Sequence, residues 1–253
     1  MNIEFKKATK AESKLRCAIF GPAGSGKTYS ALAIASGMPQ EVALIDTERG
    51  SAAKYADRFN FWTVELEDTS IESYTAAIKA AGMVCSTLII DSMSHAWQSL
   101  LTEVDKLAQA KYRGNTWSAW SEGTPKQREL VDALLSSPCH IIVTMRTKTE
   151  WTTEASGRGG SRPVRVGLAP EQGKGIEYEF DLLMEITTDH VARVIKDRTG
   201  KYQDKMIDKP DEKFGKALTA WLEDVEPPEE IETKDVEIET PEAAPEVPAQ
   251  PRF

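Results

Sequence analysis

Residues 21–28 are the stretch whose residue types and spacing most directly suggest chemistry. They read Gly-Pro-Ala-Gly-Ser-Gly-Lys-Thr and fit the phosphate-loop pattern Gly-x4-Gly-Lys-[Ser/Thr] at every fixed position. A triphosphate needs several backbone N–H donors aimed at it, and a glycine-rich turn before a helix N-terminus supplies them. Lys27 is expected to reach the β- and γ-phosphates, and the Thr28 hydroxyl to bind Mg²⁺. The predicted nucleotide-binding residues are Gly21, Pro22, Ala23, Gly24, Ser25, Gly26, Lys27 and Thr28.

An aspartate that ends an apolar run is the second candidate metal ligand. Leu88-Ile-Ile leads directly into Asp91. In phosphate-loop enzymes, an acid at the end of such a strand holds Mg²⁺ directly or through water. An aspartate in this position is otherwise often a helix cap. The upstream phosphate loop favours the metal role.

Hydrolysis also needs a base that orients or deprotonates the attacking water. In many such ATPases the base directly follows the metal aspartate, but here Ser92 follows Asp91. Glu48 is the candidate, because it lies just past an apolar strand that ends at Asp46. In a doubly wound sheet such a strand can lie beside the phosphate-loop strand and face the same crevice. The alternative is a solvated loop acid.

Two longer stretches combine charge, rings and glycine. Residues 109–124 include Lys111, Arg113, Trp117 and Trp120, which offer charge for phosphates and rings for base stacking. Residues 147–175 are predicted to be irregular, glycine-rich and net positive, which suits a polyanion. The alternative is an ordinary exposed loop with buried tryptophans. The predicted DNA-binding residues are Lys111, Arg113, Trp117, Trp120, Arg158, Arg162 and Arg165.

Strands that alternate with helices must position these residues. Apolar runs predict strands at 15–20, 41–46, 86–91 and 140–144, a pattern typical of a parallel sheet covered by helices. Helical spacing predicts further helices, one of which starts at a capping box beginning at Thr124. A closing hairpin is predicted over 179–195 and a last helix over 214–222. The predicted organisation is an arm (1–13), an α/β core (14–223) and a tail (224–253).

Charge is distributed unevenly along the 253 residues. The chain has a net charge of −9, and the proline-rich segment 224–253 carries −8 of it, which predicts a disordered acidic tail. The remainder is nearly neutral, so a nucleic-acid partner is not excluded. The three cysteines lie far apart in or beside apolar runs, which predicts buried thiols. No apolar run approaches the roughly 20 residues of a membrane span, and no signal-peptide core is evident, so a cytoplasmic location is expected.

These motifs together resemble the core of the RecA/RadA-type recombinases. The resemblance covers roughly residues 14–196 and rests on the phosphate loop, Ile45-Asp-Thr-Glu48 and Leu88-Ile-Ile-Asp-Ser92. It implies a RecA-like phosphate-loop fold with Glu48 as the catalytic base, and DNA-binding loops at 109–124 and 147–175. The family also places a γ-phosphate-sensing residue after the fourth strand, usually glutamine. Here the candidates are Thr144 and Arg146.

The short chain is similar to the reduced, Sak-type single-strand annealing proteins of bacteriophages. The sequence therefore predicts an Mg²⁺-dependent ATPase that binds single-stranded DNA and promotes annealing or recombination. It predicts a homo-oligomer, either ring or filament, and a single-strand-binding protein as a possible partner of the tail. Phe5-Lys-Lys-Ala8 matches the Phe-x-x-Ala arm by which archaeal and eukaryotic recombinases dock on a neighbour, but so short a match is not specific.

Other function classes stay open at this stage. A hexameric helicase-type motor would share the core, a small-molecule kinase would need an acceptor pocket, and a binding module could use ATP only as an assembly switch. A GTPase is disfavoured because the sequence contains no Asn-Lys-x-Asp.

Overall fold

The computed structural model of the chain describes residues 5, 7–10, 13–39, 41–156 and 160–235, with the backbone alone for residues 150–156 and 160–166. Its helices are α1 (Lys27–Ser36), α2 (Ile71–Ala81), α3 (Ser94–Lys111), α4 (Thr116–Ser136) and α5 (Glu212–Glu223). Its strands are β1 (Arg16–Phe20), β2 (Val42–Asp46), β3 (Trp62–Glu65), β4 (Thr87–Asp91), β5 (His140–Met145), β6 (Thr147–Ser156), β7 (Gly160–Pro170), β8 (Leu182–Ile186), β9 (Val191–Asp197), β10 (Lys205–Asp208) and β11 (Lys234–Asp235). Short 3₁₀ helices cover Ala52–Tyr55 and Ile176–Glu179.

One large sheet organises the described part of the chain. Its nine strands follow the order β11-β10-β9-β8-β1-β5-β4-β2-β3. The six strands from β8 to β3 run parallel, and β9, β10 and β11 continue the sheet antiparallel. The predicted α/β class with a mostly parallel sheet is confirmed, as are the closing hairpin (β8–β9) and the last helix (α5).

Two apolar layers cover the sheet. On one face α2, α3 and α4 pack on residues such as Phe20, and on the other face α1 and α5 pack on residues such as Ile19. Successive strand residues point to opposite faces, so strands buried on both sides must be apolar throughout. Gly37 and Gly215 let α1 and α5 approach closely, since a Cβ at either position would lie 1.9 Å from a backbone oxygen of the other helix.

The carboxyl ends of the parallel strands meet at one edge of the sheet. Asp46 and Asp91 are register partners on β2 and β4, and Phe20 and Met145 are partners on β1 and β5. The suggestion that β2 could lie next to the phosphate-loop strand β1 is wrong, because β5 and β4 stand between them. Open α/β sheets bind ligands at this edge, so residues on non-neighbouring strands can still share a site.

The first predicted DNA-binding loop is mostly helix. α4 begins at Thr116, where the Asn115 side chain accepts a hydrogen bond from Ser118 N at 3.1 Å. The predicted helix start at Thr124 is therefore wrong, and Pro125 lies inside the helix. Packing explains the difference: Ala119 is fully buried against the core that α3 covers. The connection between α3 and α4 is short.

The second predicted irregular stretch is a two-stranded antiparallel ribbon. β6 and β7 pair with each other from Thr147↔Pro170 to Ser156↔Gly160, with an irregularity after Glu150. The prediction of an irregular loop over 147–175 is wrong for these strands. Their threonines and valines suit strands, but glycine and arginine interrupt the alternation that would have indicated a hairpin.

The ordered part of the chain continues past residue 223, where the predicted tail starts. β11 pairs with β10, Ile231 packs against the apolar core and Lys213 lies 2.6 Å from Glu229. Six of the ten acidic residues of the predicted tail are in this described segment. Residues 236–253 lie outside the described residues.

The amino edge of the sheet brings two cysteines together. The Sγ atoms of Cys85 and Cys139 lie 3.4 Å apart, although the residues are distant in sequence, because β4 and β5 are neighbours. Cys17 is fully buried, and burial raises the pKa of its thiol. None of the helices in the described ranges combines the length and apolar character that a membrane span requires.

Candidate functional site

The phosphate loop joins β1 to α1 at the carboxyl edge of the sheet. Gly24 and Gly26 adopt φ values of 79° and 86°, a left-handed conformation that glycine accepts without strain. Lys27 Nζ donates to the carbonyls of Gly21 and Pro22 at 3.0 and 2.9 Å, which holds the ammonium over the loop. Burial lowers the pKa of Lys27, while Asp91 and then Glu48 oppose that shift.

The β8–β9 turn supports the phosphate loop from one side. His190 Nδ1 lies 3.0 Å from the carbonyl oxygen of Ser25, and a Cβ on Gly26 would lie 3.1 Å from the same nitrogen. A Cβ on Gly21 would lie 2.4 Å from the carbonyl of Ile186, so this glycine is required by close backbone approach. The sequence analysis did not assign His190 to any site.

Thr28 and Asp91 form the candidate magnesium site. Thr28 Oγ1 donates to Asp91 Oδ2 at 2.6 Å, and Thr144 donates to the other carboxylate oxygen of Asp91. Two oxygens bound to one octahedral Mg²⁺ at about 2.1 Å lie about 3 Å apart, so this pair fits such an ion. Burial raises the pKa of Asp91, whose side chain a divalent cation would stabilise in its ionised form. Thr144 is held by Asp91 and is fully buried.

A turn after β2 presents Glu48 to the same edge. Asp46 Oδ1 accepts a hydrogen bond from Glu48 N at 2.6 Å, and Asp46 Oδ2 accepts one from Ala52 N at 3.0 Å. Asp46 is almost fully buried, so these hydrogen bonds satisfy its charge. The turn thereby fixes the backbone of Glu48 and leaves its side chain half-buried at the crevice.

Arg146 and His95 surround the Glu48 carboxylate. Arg146 Nη2 donates to Glu48 Oε1 and Oε2 at 2.9 and 3.1 Å. His95 Nε2 lies 3.7 Å from Glu48 Oε1, and His95 Nδ1 lies 2.7 Å from Thr47 Oγ1. The Thr47 hydroxyl in turn accepts a hydrogen bond from Ser92 N at 2.9 Å. These contacts connect the turn that carries Glu48 to the end of β4.

Two cavities meet at this group of residues. A cleft of about 1020 Å³ is lined by Lys27, Thr28, Glu48, Asp91 and Arg146, together with Tyr29, Tyr55, His190, Lys209 and Pro210 among others. A groove of about 1040 Å³ opens on the other side of Glu48 and Arg146, and its further lining includes Glu65, Glu67, Asp68 and Glu103. The first cavity joins a phosphate end to an aromatic and polar end, as a nucleotide requires.

The predicted DNA-binding residues have different environments. Trp117 is 89% exposed, whereas Trp120 is half-buried and stacks on Trp97. Lys111 is 3.1 Å from Glu122, which offsets its charge. Arg113 lies in the short connection between α3 and α4. Arg158 lies outside the described residues, and for Arg162 and Arg165 the backbone places both on β7.

Three polar residues of the site were not found by sequence reasoning. Asp46 was recognised only as the end of a strand, and its hydrogen bonds to the turn have no signature in the sequence. His95 and His190 were assigned structural roles because no partner stands near them at metal-ligand spacing. Both contact the site through residues more than forty positions away, which local spacing does not reveal.

A family model described as "AAA domain" matches residues 13–217. No curated protein matches the chain. Among solved structures, the RadB recombinase is similar with 18% identity and a TM-score of 0.40, over 73% of this chain and 81% of that chain. A KaiC-like protein from the hyperthermophilic archaeon Pyrococcus horikoshii OT3 is similar with 15% identity and a TM-score of 0.40, over 72% of this chain and 78% of that chain.

Proposed function

Since the chain belongs to the AAA domain family, we propose that it is a phosphate-loop ATPase that hydrolyses Mg·ATP, binds single-stranded DNA and promotes annealing or strand pairing, as in phage-type recombination. The observation that carries the proposal is the convergence of Lys27, Thr28, Asp91 and Glu48 on one cleft. They come from the loop after β1 and from the ends of β2 and β4, at the edge where open sheets bind ligands.

Each of these side chains has a role in hydrolysis. The loop amides and Lys27 bind the phosphates, and Glu48 accepts a proton from the attacking water. Mg²⁺, when held by Thr28 and Asp91, would neutralise charge on the phosphates. Thr144 keeps the Asp91 carboxylate oriented. Arg146 lines the cleft and is the better of the two candidates for contact with the γ-phosphate.

The ribbon formed by β6 and β7 supports the DNA-binding part of the proposal. It begins one residue after β5, so it projects from the edge that carries the nucleotide cleft. Its sequence from 147 to 170 holds four basic and two acidic residues. A two-stranded ribbon with a net positive charge suits a polyanionic backbone.

The amino-terminal part of α4 lies near the root of this ribbon. A Cβ on Gly173, just past the ribbon, would lie 2.0 Å from Gln127 of α4 and 3.0 Å from the Trp97 ring. The same Trp97 ring stacks on Trp120. Exposed Trp117 therefore shares a neighbourhood with the ribbon, which supports a common path for one single strand of DNA. Along such a path rings stack on bases while cations follow phosphates.

The homo-oligomer prediction has a candidate interface at the opposite end of the sheet from β11. β3 pairs only with β2 among the described strands, and Trp62 and Val64 on it are 72% and 49% exposed. Beside them lies an apolar groove of about 330 Å³, whose lining includes Ala43, Ala77, Ala80 and Ala81. Its alanines leave room for one large ring. We propose that Phe5 of a second copy, which is 97% exposed in the arm, occupies it.

The acidic end of the chain is proposed to act on the DNA-binding surface or on a partner. Only four of its ten acidic residues lie beyond residue 235, so the segment 236–253 carries a net charge of −3. A tethered anion competes with DNA for a basic ribbon. The alternative is a docking peptide for a single-strand-binding protein, with Phe253 as its anchor.

A small-molecule kinase is the second candidate, because the acidic groove beside Glu48 could hold a phosphate acceptor. Product analysis separates the two: an ATPase releases ADP and free phosphate, whereas a kinase transfers the phosphate.

A gel-shift titration with single- and double-stranded oligonucleotides, with and without ATP, tests the DNA proposal, together with the ATP turnover rate under each condition. We expect single-strand preference and faster turnover with DNA. Strand unwinding would indicate a helicase-type motor, and DNA binding without turnover would indicate an ATP-dependent assembly switch. Turnover with no DNA binding would overturn the recombination proposal.

A further inference from the structure

The contact between Arg146 and Glu48 bears directly on when the proposed base can act. One guanidinium nitrogen of Arg146 bridges both carboxylate oxygens of Glu48, at 2.9 and 3.1 Å. The pair stands where the nucleotide cleft and the acidic groove meet, and both residues line both cavities. Its side chains are 42% and 32% exposed, so neither is locked in the core.

A carboxylate that acts as a base needs an oxygen directed at the proton it takes. In this pair both oxygens of Glu48 already accept a hydrogen bond from Arg146, which holds the carboxylate towards the arginine. The backbone of Glu48 is fixed by Asp46, so the carboxylate becomes free only when the guanidinium moves. His95 Nε2, at 3.7 Å, stays available as a second and weaker neighbour.

Arg146 occupies the root of the ribbon. It is the single residue between β5, which lies in the middle of the sheet, and β6. Its backbone N–H donates to Ser94 Oγ at 2.9 Å, and its carbonyl accepts from Glu171 N at 2.8 Å. Nearby, Lys148 Nζ donates to the carbonyl of Gln172 at 2.7 Å. The two ends of the ribbon are thus joined at Arg146, so a change in the tilt of the ribbon acts there first.

We propose that Arg146 is a positioning residue that restrains Glu48, and that binding of single-stranded DNA to the ribbon withdraws it and frees the base. This inference rests on the proposed function. It makes DNA a regulator of hydrolysis through one named contact, since the ribbon that carries the DNA also carries the guanidinium. Once withdrawn from Glu48, the same guanidinium still lines the nucleotide cleft, where anionic phosphates attract it.

Replacement of Arg146 tests the inference. Arg146→Ala should raise the turnover rate without DNA by up to about fivefold, because half-exposed ion pairs are weak. Adding single-stranded DNA should then give little further stimulation. DNA affinity, measured by gel shift, and nucleotide affinity, measured with a fluorescent ATP analogue, should stay close to the wild-type values. Arg146→Lys, which keeps the charge, should retain most of the stimulation.

Arg49→Ala is the matched control. Arg49 lines the same acidic groove and has no recorded bond to Glu48 within the described ranges. Its loss removes a guanidinium from the same neighbourhood, and we expect turnover and DNA stimulation to match the wild type.

The outcomes separate the inference from the function on which it rests. If the wild type hydrolyses ATP and Arg146→Ala slows basal turnover or weakens nucleotide binding, Arg146 acts on the phosphates and the restraint hypothesis is wrong, while the ATPase proposal stands. If Arg146→Ala leaves basal turnover and stimulation as in the wild type, the restraint hypothesis is also wrong. If neither protein hydrolyses ATP, with or without DNA, the proposed activity itself fails.

Discussion

The ring of Trp120 stacks on that of Trp97, with centroids 5.6 Å apart and planes inclined by 27°. Three residues earlier on α4, Trp117 is 89% exposed. Two tryptophans that look equivalent in the sequence therefore have separate roles: one ties α4 to α3, and the other is free to stack on a base.

Trp117→Ala should weaken binding to single-stranded DNA by about 1–3 kcal/mol and leave the salt dependence nearly unchanged, because a stacked base is lost and no charge is removed. Its free energy of unfolding should match the wild type. Trp120→Ala serves as the comparison and should lower the free energy of unfolding by at least about 1 kcal/mol, since a buried aromatic pair is broken. Fluorescence titration and urea unfolding measure the two effects. Equal DNA affinity in Trp117→Ala and the wild type would remove this residue from the DNA path.

Lys27→Ala should abolish ATP binding or turnover, because it removes the cation that binds the β- and γ-phosphates. Glu48→Gln should keep ATP binding and lose hydrolysis, since the side chain keeps its shape but no longer takes a proton. Equilibrium binding of a fluorescent ATP analogue and phosphate release distinguish the two variants. Normal turnover in Glu48→Gln would assign the base to another residue.

The apolar groove beside β3 predicts a head-to-tail assembly. Phe5→Ala removes the proposed ring and Trp62→Ala alters the groove that receives it, so each should shift the protein to smaller species in light scattering after gel filtration. Tyr178→Ala, which removes an exposed aromatic ring that does not line the groove, should assemble like the wild type. A mixture of the two deficient variants keeps one intact arm and one intact groove, and should form dimers. Failure of the mixture to dimerise would place the interface elsewhere.

The sequence predicted those parts of the fold and site that depend on local pattern. The phosphate loop and the strand before Asp91 were recognisable because glycine spacing and unbroken apolar runs are local signals. The helical start of α4 was not, since Asn115 and the buried Ala119 become a cap and a contact only when α3 is already in place. The pairing of Glu48 with Arg146 was equally inaccessible, because it depends on β5 and β4 lying between β1 and β2.

His140 predicts a stability change in mildly acidic solution. It is buried and Nδ1 accepts a hydrogen bond from Leu15 N at 3.1 Å, which requires that nitrogen to be unprotonated. Burial, with smaller effects of Lys14 and Arg16, lowers the pKa of His140 to about 4. The unfolded chain binds this proton near its ordinary pKa of about 6.5, so stability is full above that pH and is lost as the pH falls towards 4.

The loss should reach at most about 3 kcal/mol at about 1.36 kcal/mol per pKa unit. His140→Gln keeps an acceptor but does not titrate, so its free energy of unfolding should fall less over the same pH range. Urea unfolding at several pH values measures both proteins. Parallel pH profiles for the two would show that His140 is not the titrating group.

The ribbon predicts which arginines matter most for DNA. Together, Arg158→Ala, Arg162→Ala and Arg165→Ala should weaken binding to all sequences alike and flatten the salt dependence by up to about 2, at ~0.7 per phosphate contact on a single strand. The strand register further ranks two of them. Arg162 stands opposite Glu154, whereas Arg165 stands opposite Trp151, and directly opposite residues share a face of the ribbon.

An acid opposite Arg162 offsets its charge, and a ring opposite Arg165 adds a surface on which a base can stack. We therefore expect Arg165→Ala to weaken binding more than Arg162→Ala does, and Glu154→Gln to tighten it. Basal ATPase should survive all of these changes, because none touches Lys27, Glu48 or Asp91. Gel shifts across a range of salt concentrations give the slopes. If the triple variant stays folded and binds DNA with the wild-type affinity and slope, the ribbon is not the DNA path and an ATPase without a DNA partner becomes the better account.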